Sequence, residues 1–470
     1  MTVRRLLCVT CIGAAFVACS DDPEDLPYIG TVDASDDADT SGDAGVDAAD
    51  ATEDTASDTT VDATPDAGED AGPDAEADVT PDATTDAAED AAPDAGTCGG
   101  DRITDFSTSI PLEIPIDGQP IMVGSWDGGD GVRYLIDTGA QINSYDIDLT
   151  DGEVTFFNVD ETDLVTTVVC DVPSKGRDLS EAEAYIGVNI DALLGQSAMR
   201  SLYTYIDYSE LRAWIFADPP TMNPPGMDDV EPVLLPYELQ NELPVATVTL
   251  TGGGTADLLT DTGSGVTILE QTPYDAMAAA YEGELPRLDG YVWATNYGTD
   301  DAFITRVPTM DVGGYTVAGE WAVVIPDDNH IRALLTGSGI EVDGFLGYPV
   351  YRHFITEVRG PDTTFRFWPY TEPPTYDDEW HRVGLEFVQR DGVTTVEMVF
   401  APSAAAEADI AHGDVLVAID GASVADTVLD DIRRALHGTP GDERALTFRD
   451  AETGDESVIT LPIEDLLPPL

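Results

Sequence analysis

Positive charge is the scarcest property of this sequence. Its 470 residues contain 92 Asp and Glu but only 20 Lys and Arg, which gives a formal net charge of −72 at pH 7, and Lys175 is the only lysine. Nucleic acids and anionic lipid surfaces attract proteins through clusters of Lys and Arg. We therefore expect no nucleic-acid partner and no electrostatic docking on a membrane.

Patterns that bind metals or cofactors are also lacking. The five histidines are scattered, and the sequence has neither an H-E-x-x-H pair nor a G-x-x-x-x-G-K-[ST] phosphate loop. The acidic N-terminal repeats lack the D-x-D-x-D-G spacing of a calcium loop, although calcium binding by these acids stays open as an alternative. Gly195-Gln196-Ser197 lacks the glycine that would complete a nucleophile elbow. We expect neither a metal nor a cofactor.

Residues 1–19 have the features of an export signal. A charged start precedes the apolar run Leu6–Ala18, which is too short to remain as a membrane-spanning helix. The run ends in FVAC, which resembles the cleavage box of bacterial lipoproteins, and this resemblance implies a lipid on Cys19 and sorting to the outer membrane. An ordinary secretory signal is the alternative. We expect a protein of the bacterial cell envelope that touches the membrane through its lipid only.

Residues 20–97 are low-complexity repeats of Asp, Ala, Thr, Pro and Gly. They contain 26 Asp or Glu and no Lys, Arg or His. So little apolar mass and so much like charge cannot offset the entropy of ordering, so we predict a disordered acidic linker. Beyond it, Cys98 and Cys170 remain as one candidate disulfide in an oxidising compartment, or as two unpaired thiols.

An internal repeat is the strongest positive signal in the sequence. An apolar run, which we interpret as a buried strand, leads into Asp261–Ser264 (DTGS), and the same phrase occurs in Asp137–Ala140 (DTGA). The two copies lie 124 positions apart, and Pro120 and Pro244 share this offset. Matching context at one offset indicates a duplicated unit. A carboxylate in such a loop is half buried, which is costly unless hydrogen bonds or a shared proton compensate.

The two units follow a similar plan. Short apolar runs separated by Gly, Asp and Asn turns predict strands, and each unit carries a later apolar-apolar-Gly segment, at Leu193–Gly195 and Phe345–Gly347. The second unit is longer by about 28 residues between its Asp and this Gly, which places an insertion within Thr272–Gly339. We predict one lobe over residues 98–222 and another over 223–372.

This arrangement resembles the aspartic peptidase family, with each unit similar to a retropepsin lobe. The resemblance covers roughly residues 102–370 and implies a mostly β, bilobed double β-barrel. It also implies that Asp137 and Asp261 share a proton and activate a water for peptide hydrolysis. Gln196 and Tyr348 depart from the family, because retropepsins carry arginine there. Candidate tyrosines for a flap over the substrate are Tyr291 and Tyr297.

The same resemblance implies supporting roles around this Asp137/Asp261 dyad. The threonines would exchange hydrogen bonds between the loops, and the glycines would keep the approach to the carboxyls open. Ser264 would donate a hydrogen bond to Asp261 and lower its pKa, which Ala140 cannot do for Asp137. An asymmetric dyad that works at mildly acidic to neutral pH follows. The supporting residues are Thr138, Gly139, Ala140, Thr262, Gly263 and Ser264.

The tail, residues 373–470, contains the segment Gly384–Phe387 (GLEF) and, further on, VLVAIDG. With these segments it resembles a bacterial PDZ domain of α+β fold. A carboxylate-binding loop uses backbone N–H groups to hold the end of a peptide, so the resemblance implies protein C-termini as partners. Glu386 replaces the second glycine of this loop, and its charge opposes anion capture. Bracing a neighbouring domain is the alternative role. The residues that match the loop are Gly384, Leu385, Glu386 and Phe387.

The sequence as a whole predicts a lipid-anchored envelope aspartic endopeptidase. Its substrates would be peptides or unfolded proteins, and its PDZ domain would recruit or orient substrates or partners. The alternative is a non-catalytic envelope protein of the same fold, in which both modules hold peptides. Hydrolysis that depends on both Asp137 and Asp261 separates the two hypotheses.

Overall fold

The computed structural model describes residues 105–470, except for 117, 127–128, 151, 153, 296–297 and 372–378. The predicted signal, the acidic linker, Cys19 and Cys98 therefore lie outside the described residues. The described residues belong to one compact unit. In this part of the chain, no helix has the length and apolar character needed to cross a bilayer.

The first lobe is built mainly from short strands. Strand β3 forms its centre, since it pairs with β2 in antiparallel and with β7 in parallel orientation. Strand β4 lies on the other side of β7 and continues to β6. Its elements are β1 (Ile110–Glu113), β2 (Ile121–Trp126), β3 (Gly129–Ile136), β4 (Asn143–Asp146), β5 (Phe156–Asp163), β6 (Val168–Arg177), α1 (Ser180–Ile186), β7 (Ala192–Leu194), α2 (Gln196–Met199), β8 (Tyr203–Asp207) and β9 (Arg212–Phe216).

The second lobe repeats this pairing pattern. Strand β13 pairs with β12 in antiparallel and with β18 in parallel orientation, and β14 lies beside β18 and β17. Its elements are β10 (Val233–Pro236), β11 (Glu238–Gln240), β12 (Leu243–Leu250), β13 (Thr255–Thr260), β14 (Ile268–Glu270), α3 (Gln271–Ala280), β15 (Arg287–Thr295), β16 (Gly298–Val312), β17 (Tyr315–Ile325), α4 (His330–Gly337), β18 (Gly344–Leu346), α5 (Tyr348–Tyr351), β19 (Phe354–Arg359) and β20 (Thr364–Pro369).

The predicted insertion in the second lobe corresponds to helix α3 and strand β15. In the first lobe β5 follows β4 directly and pairs with β2 and β6. In the second lobe β16 makes the equivalent pairs, with β12 and β17, but α3 and β15 come before it. Strand β15 pairs along β16 and forms a long hairpin with it.

A shared sheet joins the two lobes. Each lobe ends in a hairpin, β8–β9 in the first and β19–β20 in the second, and β8 pairs directly with β19 across the boundary. Because two similar lobes meet at equivalent strands, their other equivalent parts, including the two DTG loops, are turned toward each other.

Buried apolar residues on both sides of the boundary form one continuous core, which includes Met122, Ile136, Leu258 and Leu346. Lys175 is also removed from solvent, with only 3% of its surface exposed. Its ammonium lies 5.0 Å from the ring centre of Phe156, a favourable cation–π contact.

The C-terminal unit is a second β structure that packs on the lobes. Its sheet has the order β22-β23-β24-β26-β27, and helix α6 packs against β22. Trp380, Phe400 and Leu467 from this unit belong to the same buried cluster as Leu259 and Trp321 of the second lobe. Its elements are β21 (His381–Arg382), β22 (Leu385–Arg390), β23 (Val393–Val399), β24 (Val415–Ile419), β25 (Ala422–Ser423), α6 (Leu429–Ala435), β26 (Glu443–Arg449), β27 (Glu456–Pro462) and β28 (Glu464–Asp465).

Candidate active site

The two DTG loops begin where the central strand of each lobe ends. Asp137 directly follows β3, and its backbone N–H donates to the carbonyl of Leu194 at 3.1 Å. Asp261 directly follows β13, and its N–H donates to the carbonyl of Leu346 at 3.0 Å. The parallel strands β7 and β18 therefore fix the exact point at which each carboxyl leaves its strand.

Glycines behind the loops allow this close packing. A Cβ atom on Gly195 would lie 2.8 Å from the carbonyl oxygens of Ala140 and Ile142, and one on Gly347 would lie 2.0 Å from the carbonyl oxygen of Val266. Real Cβ atoms do not approach backbone oxygens so closely. The apolar-apolar-Gly segments thus support the loops from behind, as the sequence predicts.

The glycines within the loops bring the two carboxyls together. A Cβ atom on Gly139 would lie 2.4 Å from Cγ of Asp261, and one on Gly263 would lie 2.7 Å from Cγ of Asp137. Each glycine therefore touches the carboxyl of the opposite lobe. Only a residue without a side chain permits this approach.

Reciprocal hydrogen bonds connect the loops, as predicted for the two threonines. The Thr138 N–H donates to Oγ1 of Thr262 at 3.1 Å, and the Thr262 N–H donates to Oγ1 of Thr138 at 2.9 Å. The hydroxyls in turn donate across the boundary, Thr138 to the carbonyl of Thr260 at 2.7 Å and Thr262 to that of Ile136 at 2.8 Å. All these groups are buried, so the network holds the two lobes in one relative position.

Each carboxyl has one hydrogen-bonded oxygen and one oxygen without a bond. Oδ1 of Asp137 accepts from the N–H groups of Gly139 at 2.9 Å and Ala140 at 3.0 Å, and Oδ1 of Asp261 accepts from Gly263 at 2.9 Å. Oδ2 of each is buried and accepts no hydrogen bond from the described residues. Both side chains have 0% of their surface exposed. A proton between such groups satisfies an oxygen that otherwise has no partner.

Burial makes ionisation of this pair unfavourable and unequal. It raises the pKa of Asp137 well above its ordinary value, and the charge of Asp261 raises that pKa further. Burial raises the pKa of Asp261 to about 6, a rise limited by a hydrogen bond with the Asp137 carboxyl and by the N–H groups of Gly263 and Ser264. The pKa of Asp137 is thus raised further than that of Asp261, and the two carboxyls titrate as one coupled pair.

The role expected for the Ser264 side chain is wrong. Its hydroxyl donates to the carbonyl of Val266 at 2.8 Å. A hydroxyl has a single proton to donate, so it does not also donate to Asp261. The Ser264 backbone N–H supports Asp261 instead, and the Ala140 N–H supports Asp137 in the same way. The predicted asymmetry is present, but it arises from burial and backbone donors.

Two polar side chains near the first DTG loop stabilise it through hydrogen bonds. Nε2 of Gln196, which replaces the usual arginine, donates to the carbonyl of Thr138 at 2.9 Å. Asn143, which sequence reasoning missed, accepts from the Gly195 N–H at 2.9 Å through Oδ1. The strand that Asn143 begins, β4, reads NSYD and is itself mostly polar, so no sequence pattern singles out this residue. Both side chains tie the supporting glycine segment to the loop.

Tyr348 stands at the second position where retropepsins carry arginine, and a network of buried charged side chains lies beside it. Arg352 follows Tyr348 by one helical turn, and its guanidinium lies 5.5 Å from the Tyr348 ring centre. It is 1% exposed and forms ion pairs with Glu320 and with Glu379, the latter at 2.6 Å. His353 also contacts Glu320, at 2.6 Å. Burial opposes ionisation of Glu320, but Arg352 and His353 lower its pKa below the ordinary value.

The remaining predicted site residues are the two flap candidates and the two cysteines. Tyr291 is 7% exposed and packs in the core of the second lobe, whereas Tyr297 is not among the described residues. Cys170 is disulfide-bonded, and its predicted partner Cys98 lies outside the described range, so the pairing stays a prediction. The described residues contain no cluster of His, Cys, Asp or Glu suited to a metal.

The loop predicted to bind carboxylates lies at the start of β22 in the C-terminal unit. A Cβ atom on Gly384 would lie 2.2 Å from Oγ of Ser403, so this glycine packs tightly. Leu385 is buried in the core of the unit. Glu386 is not free to repel a ligand at the surface, because it forms ion pairs with Arg433 at 2.7 Å and with Arg382. The N–H of the next residue, Phe387, donates to Glu386 itself.

Comparisons with known proteins identify one module. Residues 399–450 match the family model described as PDZ domain. The chain thus ends in a PDZ domain, a fold that generally binds peptide or protein C-termini. No curated protein matches the sequence.

Solved structures resemble parts of the chain at low sequence identity. A "Photosystem II D1 C-terminal processing protease" is 23% identical, with a TM-score of 0.17, over 18% of this chain and 23% of that protein. An aspartic proteinase from Irpex lacteus is 11% identical, with a TM-score of 0.37, over 56% of this chain and 97% of that one. Basic 7S globulin from soybean is 9% identical, with a TM-score of 0.35, over 55% and 94%.

Proposed function

We propose that this protein is an aspartic-type endopeptidase whose dyad is Asp137 and Asp261. The observation that carries the proposal is the contact of each loop glycine with the opposite carboxyl, which places two fully buried carboxyls side by side. Two such carboxyls cannot both ionise at low cost, so the pair holds one proton. One proton on two carboxyls supplies an acid and a base in the same place.

The unequal pKa values assign the two roles. Asp261, the more easily ionised group, removes a proton from a water molecule as the water oxygen attacks the carbonyl carbon of a peptide bond. Asp137 gives its proton to the carbonyl oxygen, which forms a tetrahedral diol. The diol then collapses, the C–N bond breaks, Asp261 passes its proton to the leaving nitrogen, and Asp137 recovers a proton from the diol. The water forms the new C–O bond, the amine leaves with the broken C–N bond, and the dyad returns to its starting protonation state.

The proposal is tested with the protein beginning at residue 98, incubated with a mixed peptide library from pH 3 to pH 8. We expect kcat/KM to rise as pH increases through about 6, the pKa of Asp261, and to fall at higher pH when Asp137 loses its proton. Asp137→Asn and Asp261→Asn should each abolish cleavage. A flat rate across this range, or cleavage that survives either substitution, would contradict the proposal.

A non-catalytic peptide-binding protein of the same fold is the second candidate. The complete burial of both carboxyls favours it, because a substrate must reach them before hydrolysis can occur. Peptide binding without cleavage at any pH would decide for this candidate. PDZ recruitment of substrates or partners by their C-termini is part of both hypotheses.

The location of the protein is also a proposal, supported by the FVAC box at residues 16–19. We infer that lipid on Cys19 anchors it in the bacterial envelope, at the outer membrane, with the acidic linker as a spacer. Cys19→Ala should move the protein from the membrane fraction to the soluble fraction. Retention of that variant in the membrane fraction would refute the lipid anchor.

A further inference from the structure

Strand β22 forms one edge of the sheet of the PDZ domain, and an extended peptide can add a strand at such an edge. Strand β22 pairs only with β23 among the described strands, and α6 packs beside its other edge. We call the gap between this edge and α6 the PDZ groove. An extended peptide binds such a groove by adding a strand, so the backbone groups of β22 must be available to it.

Side chains already occupy the start of this edge. The Phe387 N–H donates to Oε1 of Glu386 at 3.1 Å, and the Phe387 carbonyl accepts from Nη2 of Arg433 at 3.2 Å. Burial opposes the ionisation of Glu386, but Arg433 and Arg382 lower its pKa to about 2. Glu386 therefore stays charged and paired, and a peptide would have to break this arrangement.

Helix α1 of the first lobe lies on the same face of the PDZ domain. Ala184 and Tyr185 of the helix pack in one buried cluster with Val388 of β22. The Tyr185 hydroxyl donates to Oε1 of Glu397 at 2.7 Å. At the end of the helix, Nη1 of Arg433 donates to the Ile186 carbonyl at 3.4 Å.

The contact continues on both sides of the helix. A Cβ atom on Gly187, which ends α1, would lie 3.0 Å from the backbone N of Asp430 and from Cβ of Leu429, at the start of α6. At the other end, Arg390 of β22 forms an ion pair with Glu181 at 3.0 Å. Helix α1 thus spans the PDZ groove from α6 to the end of β22.

The PDZ domain also covers the face of the lobes that carries the Asp261 loop. Gly265 and Val266, which directly follow this loop, line a cavity of about 80 Å³ together with Gln119 of the first lobe. Trp380 and Phe400 of the C-terminal unit form the opposite wall. A space of this size holds a few water molecules but no peptide.

We propose that helix α1 is an internal ligand of the PDZ groove, and that this contact holds the lobes in a closed, latent state. The C-terminus of a partner protein would compete with α1 for β22 and displace this helix, whose Ala182 and Ile186 pack in one buried cluster with Ala140 of the first DTG loop. The inference that displacement of α1 activates cleavage rests on the proposed peptidase function. The inference that α1 blocks the PDZ groove is independent of that function.

The test uses charge reversal at the Glu181–Arg390 pair in the full chain. Both side chains are partly exposed, 35% and 40%, so reversal should not prevent folding. The single variants are Glu181→Arg and Arg390→Glu, and the double variant carries both changes and restores an opposite-charge pair. Arg434→Glu is the matched control, because Arg434 lies on α6 and pairs with Asp430 of the same helix.

Binding is measured first, in an Asp261→Asn background that prevents cleavage. The probe is a fluorescent pool of heptapeptides with free C-terminal Val, Leu, Ile or Phe. Each single reversal should bind the pool about two- to tenfold more tightly than the parent, since an exposed ion pair contributes this much and like charges oppose docking. The double variant should return to within twofold of the parent, and Arg434→Glu should match the parent.

Cleavage of the mixed peptide library is then measured with Asp261 intact. The single reversals should raise kcat/KM in proportion to probe binding. Tighter probe binding without cleavage in any variant would support the blocked groove and reject the peptidase. Dyad-dependent cleavage that the reversals do not change would reject the latent state. Probe binding that is equal in all variants, or absent from all, would overturn the role of α1.

Discussion

The two buried carboxyls show how single residues set the chemistry of this site. Asp137 and Asp261 directly follow β3 and β13, one strand in each lobe, and both are fully buried, which makes their ionisation unfavourable. Their backbone donors stabilise one oxygen each, and the other oxygen is left for a shared proton. A group that resists ionisation in the folded state also links protein stability to pH.

Stability should therefore fall as pH rises through the dyad. An unfolded aspartate has a pKa of about 3.9, whereas Asp261 has one of about 6 in the folded protein, so the folded state binds more protons between these values. The stability from this group is present below pH 4 and is lost above pH 6, by about 3 kcal/mol. Asp261→Asn cannot ionise and should lose less free energy of unfolding between pH 4 and pH 7.

Urea unfolding at the two pH values measures this effect. Asp450 provides the control, because hydrogen bonds from the Thr453 and Glu452 N–H groups lower its pKa at an exposed turn. Its contribution has the opposite sign and is lost only below pH 4, so Asp450→Asn should lose nearly as much stability as the parent on going from pH 4 to pH 7. An identical pH dependence in Asp261→Asn and the parent would show that burial does not raise the Asp261 pKa.

Among the secondary-structure elements, β7 and β18 have the largest influence on the site. Strand β7 follows helix α1 and β18 follows helix α4, and each pairs in parallel with the strand that leads into a DTG loop. Strands β7 and β18 lie beside the ends of β3 and β13, and the glycine after each one packs against the carbonyl groups of a DTG loop. The loops are thus held from behind by backbone contacts, to which Gln196 and Asn143 add side-chain hydrogen bonds in the first lobe.

Gly347→Ala should disrupt the second loop. Its Cβ would meet the carbonyl oxygens of Val266 at 2.0 Å and Ser264 at 2.9 Å, and neither can move without shifting the loop. We expect a loss of about 3 kcal/mol in the free energy of unfolding, together with loss of cleavage. Gly337→Ala in α4 is the control, since its Cβ would have no neighbour within 4 Å. Equal free energies of unfolding for Gly347→Ala and Gly337→Ala in chemical denaturation would contradict the close packing of Gly347 against the loop.

The repeat made these elements predictable from sequence. Two copies of one pattern, each with its own apolar-apolar-Gly segment, predicted the duplicated lobes and the insertion, and the resemblance to aspartic peptidases implied the dyad and the threonine exchange. The Ser264 hydroxyl was wrongly assigned because a turn offers a serine several backbone acceptors, and only the folded loop selects Val266. The pairing of Arg390 with Glu181 spans 209 positions, and no local pattern specifies such a contact.

At the scale of the whole molecule, the PDZ domain is part of the core of the second lobe. Trp380, Phe400 and Leu467 share one buried cluster with Trp321, and the Leu467 carbonyl accepts hydrogen bonds from Arg306. Asp289 and Ala401 exchange backbone hydrogen bonds at 2.7 and 2.9 Å, which joins β15 to the PDZ domain. These contacts couple the unfolding of the two parts.

Calorimetry should therefore show one unfolding transition for the lobes and the PDZ domain. Trp380→Ala removes a side chain that is 5% exposed from this shared cluster and should cost about 3–5 kcal/mol. We expect this variant to lower the Tm of the single transition in which the lobes and the PDZ domain unfold together. Two separate transitions, only one of them affected, would mean that the domains unfold independently.

The burial of Lys175 has a practical consequence for handling the protein. Lys175 is the only lysine of the chain and is 3% exposed, so an amine-reactive reagent should label it slowly in the folded protein and quickly after unfolding. The extent of labelling at this single position therefore reports how much of the first lobe is folded.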